Sequence, residues 1–228
     1  MGMMFDLYLV STWIIPLVLA ITLHEAAHGY AALRFGDETS LRAGRISLNP
    51  LRHIDPWGTI IIPALLLFSG APFLFGYAKP VPVDFERLKN PRRDMVWVAG
   101  AGPSTNLLLA VVSALLLHGE GVFSSDVATW FVQNLKNMIF INILLAVFNL
   151  IPLPPLDGGR IAVGLLPEAI ARPLSRLEPF GLFILISAIF LLPYLGEMLG
   201  VDINIFRWLV GVPFDFFREL IATLTGHR

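Results

Sequence analysis

Residues Leu7–Leu33 read LYLVSTWIIPLVLAITLHEAAHGYAAL, with Glu25 as the single formal charge. A helix that crosses a bilayer needs about 20 mostly apolar residues, so this stretch predicts a membrane span. Its second half carries His24-Glu25-Ala26-Ala27-His28. Ionisable groups inside a span are costly and are read as functional. Met1–Leu19 has neither a basic start nor a small-residue cleavage pattern, so the apolar stretch is expected to be retained as a helix.

Further apolar segments follow. Met95–Gly119, Met138–Leu156 and Pro179–Gly196 carry no formal charge, and each is long enough to cross or nearly so. Trp57–Ala78 is also uncharged, but Gly58, Pro63, Gly70, Pro72 and Gly76 interrupt it. The tail, Ile203–Leu224, contains Arg207, Asp215, Arg218 and Glu219 and reads as a poor span or an interfacial helix. Only 14% of the 228 residues are charged, against about 25% in a soluble domain, and mean hydropathy is +0.72. A soluble enzyme and a disordered chain are excluded, and a net charge of -1 excludes a nucleic-acid binder, which needs a basic excess. The fold class expected is an all-α polytopic membrane protein, a bundle of about five or six membrane segments with short extended or β elements in its connectors. A single membrane-embedded domain, residues 1–228, is expected, with a core at 7–160 and C-terminal helices at 161–228.

Basic residues orient the bundle. One connector holds Arg34, Arg42, Arg45 and Arg52, and the next holds Lys79, Arg87, Lys89, Arg92 and Arg93. If Trp57–Ala78 crossed the bilayer, these loops would lie on opposite sides, against the positive-inside rule. A re-entrant segment puts both in the cytoplasm together with Arg160, Arg172 and Arg176. The loops Glu120–Asp126 and Glu197–Asp202, which lack Lys and Arg, then fall outside. Irregular backbone at membrane depth has to be buried in protein or line a wet cavity, so this segment is expected beside a site.

In the first helix, the i, i+4 spacing places His24 and His28 on one face, near enough to share a metal ion. Glu25 is offset by one residue, which directs its carboxylate at a water beside the metal. A catalytic zinc takes a third protein ligand, and with no cysteine in the chain it must be His, Asp or Glu. His53 and Asp55 lie in the first basic connector, and His118 ends an apolar segment on the opposite side. Asp157 is better placed. It follows Asn149-Leu150-Ile151-Pro152-Leu153-Pro154-Pro155-Leu156 and precedes Gly158-Gly159. The prolines stop the helix and the glycines allow a tight turn, which aims the carboxylate from a helix end on the side of His24 and His28.

His24-Glu25-x-x-His28 with a late Asn149-x-x-Pro152-x-Pro154-x-Leu156-Asp157-Gly158 resembles the site-2 protease family of intramembrane zinc metalloproteases. Further matches are Gly44–Pro50, His53–Thr59, Gly76–Val83 and the Gly102-Pro103-Ser104-Thr105-Asn106 element. The resemblance runs from about Leu23 to Gly159 and is to the compact bacterial branch without PDZ or CBS domains. It implies His24, His28 and Asp157 as ligands of one Zn2+, Glu25 as catalytic acid/base, and Asn149 as a group that binds substrate or stabilises the oxyanion. It also implies a cell-membrane enzyme facing the cytoplasm, whose partners are the lipid bilayer and a membrane-protein substrate with a transmembrane helix. Pro80 and Pro82 suit an edge strand, so Gly76–Val83 is expected to hold unwound substrate by strand addition. Asn106 and Asn142 read first as hydrogen-bonding glue between helices, a reading also open for Asn149, and His53 and Asp55 as loop anchors. His118 and His227 read as interfacial or solvated, and Phe214–Phe217 as a packing patch. Two alternatives stand beside this expectation. One is another membrane metallopeptidase of the CAAX type, with a glutamate as third ligand. The other is a catalytically silent scaffold or transport subunit. The sequence names neither the substrate nor an oligomeric state.

Overall fold

The computed structural model describes residues 7–69, 77–122 and 125–227, and among these every regular element is helical. Helix α1, Leu7–Arg34, has Pro16 inside it. Proline has no N–H, which leaves the Thr12 carbonyl without its helical donor. Asn137 supplies one, its Nδ2 donating to Thr12 O at 2.9 Å and to Thr12 Oγ1 at 3.2 Å. Gly36, at φ 107°, ends the helix in a left-handed turn that a β-carbon would strain. A one-turn helix α2, Thr39–Arg42, follows. A π-turn at Pro56–Ile61 then leads into α3, Ile62–Phe68.

Two long helices pack against α1. Helix α4, Pro91–Leu116, starts on a proline suited to its first turn, and α5 runs from Ser125 to Asn149. Short helices α6, Asp157–Leu165, and α7, Glu168–Ser175, come next. A rod built from α8, Gly181–Ile186, a π-turn, and α9, Leu192–Met198, follows them. Helix α10, Val212–Thr225, lies against α4 and α5. Phe214 and Phe217 pack on the apolar core while Phe216 is exposed.

Among the described residues, four helices are long and apolar enough to cross a membrane: Val10–Arg34, Pro91–Gly119, Val127–Asn149 and Glu178–Met198. The third differs from the expected Met138–Leu156 at both ends. Gln133 and Asn134 are satisfied by Asn137 and Trp130 within the helix and Asn137 by Thr12 of α1, so the helix extends outward past an exposed Lys136, and Pro152 cannot continue it inward. The surface is inverted relative to a soluble protein. Thr12, Asn106, Asn137 and Asn142 are buried beside small residues such as Ala20, Ala110 and Ala146, while Ile14, Leu108, Leu115 and Phe183 face outward. Lipid gives apolar side chains no reason to hide, so helices meet through small residues and paired polar groups. This is a multi-pass membrane protein.

The Trp57–Ala78 segment begins and ends in one place. Tyr77 N–H donates to Gly58 O at 3.0 Å, and Lys79 N–H donates to His53 O at 2.9 Å. Both flanking connectors therefore sit at one end of the bundle, as a re-entrant path requires; residues 70–76 lie outside the described part. Arg45 reinforces the closure by donating to Lys79 O at 2.7 Å. Residues 77–84 form no regular helix, their prolines bias the backbone before them to an extended path, and no strand is formed among the described residues. Prolines at 80 and 82 remove two of the donors that a ladder would use.

Candidate metal centre

The two imidazoles of α1 converge as their spacing predicts, with Nε2 atoms 3.1 Å apart. Asp157, the first residue of α6, brings Oδ2 to 3.3 Å from each of them. A tetrahedral zinc site with bonds of about 2.0–2.1 Å separates its ligand atoms by about 3.3 Å. The three atoms thus already occupy one face of such a tetrahedron, and no other cluster of this kind occurs among the described residues.

Local chemistry fixes which atoms face the centre. His28 Nδ1 donates to Val98 O at 2.7 Å, which leaves Nε2 with its lone pair. His24 Nδ1 lies 2.6 Å from Asn106 Oδ1. Asn106 is held in that orientation because its Nδ2 donates to Ala20 O at 3.2 Å and to Asn142 Oδ1 at 2.7 Å. Asn142 is oriented in turn by donating to Met138 O at 2.9 Å. A chain of amides therefore sets the His24 tautomer, the arrangement that orients metal-binding imidazoles generally. Asp157 Oδ2 is buried without a hydrogen-bond donor. Three ligand-competent atoms face one another, and a dication would satisfy all three.

Close backbone approach makes the convergence possible. A β-carbon on Gly102 would lie 2.4 Å from His28 Nε2, so only glycine lets α4 pass behind the imidazoles. A β-carbon on Gly158 would lie 2.2 Å from Leu150 O. The proline-rich loop after α5 thus folds tightly over the start of α6 and presents Asp157 to α1.

The cluster opens into a cavity of about 230 Å³ that Glu25 and Asn149 also line. Glu25 Oε2 accepts from Val81 N–H at 2.7 Å, and Asn149 Nδ2 donates to Leu145 O at 3.0 Å. His53 and Asp55 are elsewhere. His53 Nε2 donates to Ser47 O at 2.8 Å, and Asp55 Oδ1 caps the π-turn by accepting from Trp57 N–H and Gly58 N–H. At the opposite end of the bundle, His118 and His227 stack at 4.2 Å. They donate to Thr225 O and Ala114 O, each closing the helix that precedes the other.

The sequence profile of peptidase family M50 matches residues 12–128 and 120–192. The chain belongs to family M50. Membership makes it a zinc-dependent metalloprotease, and the four apolar helices place it in the membrane. It is similar to the candidate zinc metalloprotease YwhC of Bacillus subtilis, 39% identical over 88% of this chain and 89% of YwhC. The Rip2 proteins, also named as candidate zinc metalloproteases, are similar too. That of Mycolicibacterium smegmatis is 29% identical over 88% of this chain and 70% of its own length. That of Mycobacterium tuberculosis H37Rv is 31% identical over 84% and 70%. No solved structure gives a significant match.

Within this M50 site, the sequence brings the HExxH pair and Asp157 together and gives Gly76–Val83 to substrate, but it gives no role at the metal centre to Gly102, the Val81 amide, Phe85 or Arg160. Gly102 carried a signal, since a glycine beside Pro103 inside an apolar helix weakens that helix without a packing reason. The Val81 amide carried none, because a backbone donor is invisible in side-chain patterns.

Proposed function

We propose that this M50 protein is an intramembrane endopeptidase that hydrolyses peptide bonds in the transmembrane segments of other membrane proteins. The observation that carries this reading is the convergence of His24 Nε2, His28 Nε2 and Asp157 Oδ2 beside Glu25 in one cavity. His24, His28 and Asp157 would hold one Zn2+, which would supply Lewis acidity and acidify a water. Glu25 takes the proton of the attacking water and returns it to the leaving amide nitrogen. Asn149, on the same wall, has a second amide hydrogen beyond the one given to Leu145, and this donates to the carbonyl oxygen as negative charge develops there.

A substrate helix hides its carbonyls in internal hydrogen bonds and must unwind before attack. The extended stretch 77–84 borders the cavity through Pro80, Val81 and Val83. The Val81 carbonyl has no hydrogen bond among the described residues, and it receives the unwound segment by backbone pairing. Basic connectors gather at the metal end, where Arg92 donates to Leu166 O and Arg160 lies over Phe85. The positive-inside rule then makes that end cytoplasmic, so water reaches the site from the cytoplasm. The bilayer and a transmembrane substrate are the partners; nucleic acid is not.

A CAAX-type arrangement is disfavoured, because Glu168 and Glu178 pair with Arg172 and Arg160 rather than approaching the histidines. The discriminating experiment combines metal analysis of the purified protein with a proteomic comparison of membranes carrying wild-type protein or Glu25→Gln. Bound zinc with membrane-protein fragments lost in the variant supports the peptidase. Bound zinc with identical fragment patterns refutes it, and absence of zinc favours a scaffold.

A further inference from the structure

The cavity that holds the three ligand atoms has one Lys or Arg on its wall among the described residues, Arg160. It lies one turn after Asp157 in α6, on the same helix face. Phe85 supports the guanidinium from one side, with Cζ 4.7 Å from the ring centroid. On another edge, one terminal nitrogen donates to Glu178 Oε1 at 2.6 Å. A guanidinium has five N–H donors in a rigid fork, and that of Arg160 makes no other hydrogen bond among the described residues. The side chain is therefore fixed in plane by two neighbours from distant parts of the chain, with most of its donors unused, beside the reaction centre.

Neither neighbour is a strong claim on that charge. The Arg160–Glu178 pair is half-exposed, 28% and 44% for the two side chains, and pairs of this kind contribute little. Val81, Val83 and Val98 supply the apolar part of the surrounding wall. A carboxylate entering such a wall finds a fork matched to its own two oxygens and less water to compete with it.

We infer that Arg160 is a specificity-determining residue, selecting segments that carry an Asp or Glu side chain within a few residues of the bond cut. Glu178 holds the guanidinium in register and gives way to the substrate carboxylate. This rests on the peptidase reading of the metal site and adds a substrate class to it.

The test uses synthetic transmembrane peptides of about 20 apolar residues carrying a single Glu, or its isostere Gln, stepped through the half nearest the metal end. Binding is measured on the zinc-loaded Glu25→Gln protein and cleavage on the Glu25 protein. At one or two positions Glu is preferred over Gln by about tenfold, the effect of one charge-assisted hydrogen bond. Arg160→Gln brings the ratio to about one, whereas Glu178→Gln, which removes the competitor, raises it. Equal handling of Glu and Gln at every position overturns the inference, as does a preference that survives Arg160→Gln. Should Arg160→Gln fail to fold, the Glu178→Gln ratio decides alone, and no rise overturns it. Peptides ending at the cut with a carboxylate or an amide form a second arm. A carboxylate preference confined to that arm overturns the side-chain assignment in favour of product binding. Cleavage without preference refutes the role of Arg160 and leaves the peptidase intact; preferential binding without cleavage of any peptide refutes the peptidase.

Discussion

Glu25 Oε2 and the backbone N–H of Val81 are 2.7 Å apart, so the acidic residue of the HExxH motif is held by the extended stretch rather than by its own helix. Pro80 and Pro82 flank that amide and have no N–H, which makes Val81 the donor available at this point. Val81→Pro removes the donor and keeps an extended backbone. A hydrogen bond to a charged group contributes about 1.5–3 kcal/mol. The turnover rate is therefore expected to fall about tenfold or more, with metal content at the wild-type level. Val81→Ala, which trims the side chain and keeps the amide, is expected to cost much less. Kinetics and metal analysis on the two variants check this.

Gly102→Ala is expected to abolish metal binding. The added methyl would sit 2.4 Å from His28 Nε2 and 2.6 Å from His24 Cε1, forcing both imidazoles out of register. Gly100→Ala is the internal control, since a methyl there meets nothing within 4 Å. Zinc content of the two purified variants, compared side by side, checks the difference.

The interplay of α1, α4 and α5 explains how much of this site is legible in the sequence. His24 and His28 are readable because helical spacing is a local property, and Asp157 because the proline and glycine signals around it are local too. The amide chain from Asn142 through Asn106 to His24 is not readable in that way. It joins three helices, and periodicity can place each asparagine on an inward face without saying whether it is glue or an imidazole's partner. The α5 boundary fails for a related reason: Lys136 looks like a terminus until Gln133 and Asn134 are seen to bond within α5, to Asn137 and Trp130, and Asn137 to reach across to Thr12 on α1.

Asn106→Ala should leave the helices packed but release the His24 ring, and loss of such a supporting partner weakens metal binding by about 10–100-fold. Competition with a chelator of known affinity measures it. Unchanged affinity would show that the bond to His24 Nδ1 at 2.6 Å carries no orienting role.

Asp37 sets an acid limit on the extended stretch. Its carboxylate accepts from Thr39 N–H at 2.9 Å, from the Thr39 hydroxyl at 2.5 Å and from Asp84 N–H at 2.8 Å. Burial raises the carboxyl, but the Thr39 and Asp84 hydrogen bonds outweigh it, so the group titrates below its ordinary value. Its contribution is complete above the unfolded value of about 3.9 and is lost as pH falls through the lower folded one. The exchange protection of the Asp84 amide is expected to drop in that acidic window. Asp37→Asn should show the reduced protection at neutral pH as well.

Because Tyr77 is tied to Gly58, and Lys79 to His53, everything between those pairs is a cassette clipped at its base. Lengthening a closed loop is cheap, about 0.6 kcal/mol for each doubling, and an insertion there transmits no strain to α1 or α6. Residues between the clips can therefore change in number while His24, His28 and Asp157 keep the separations that bring them together.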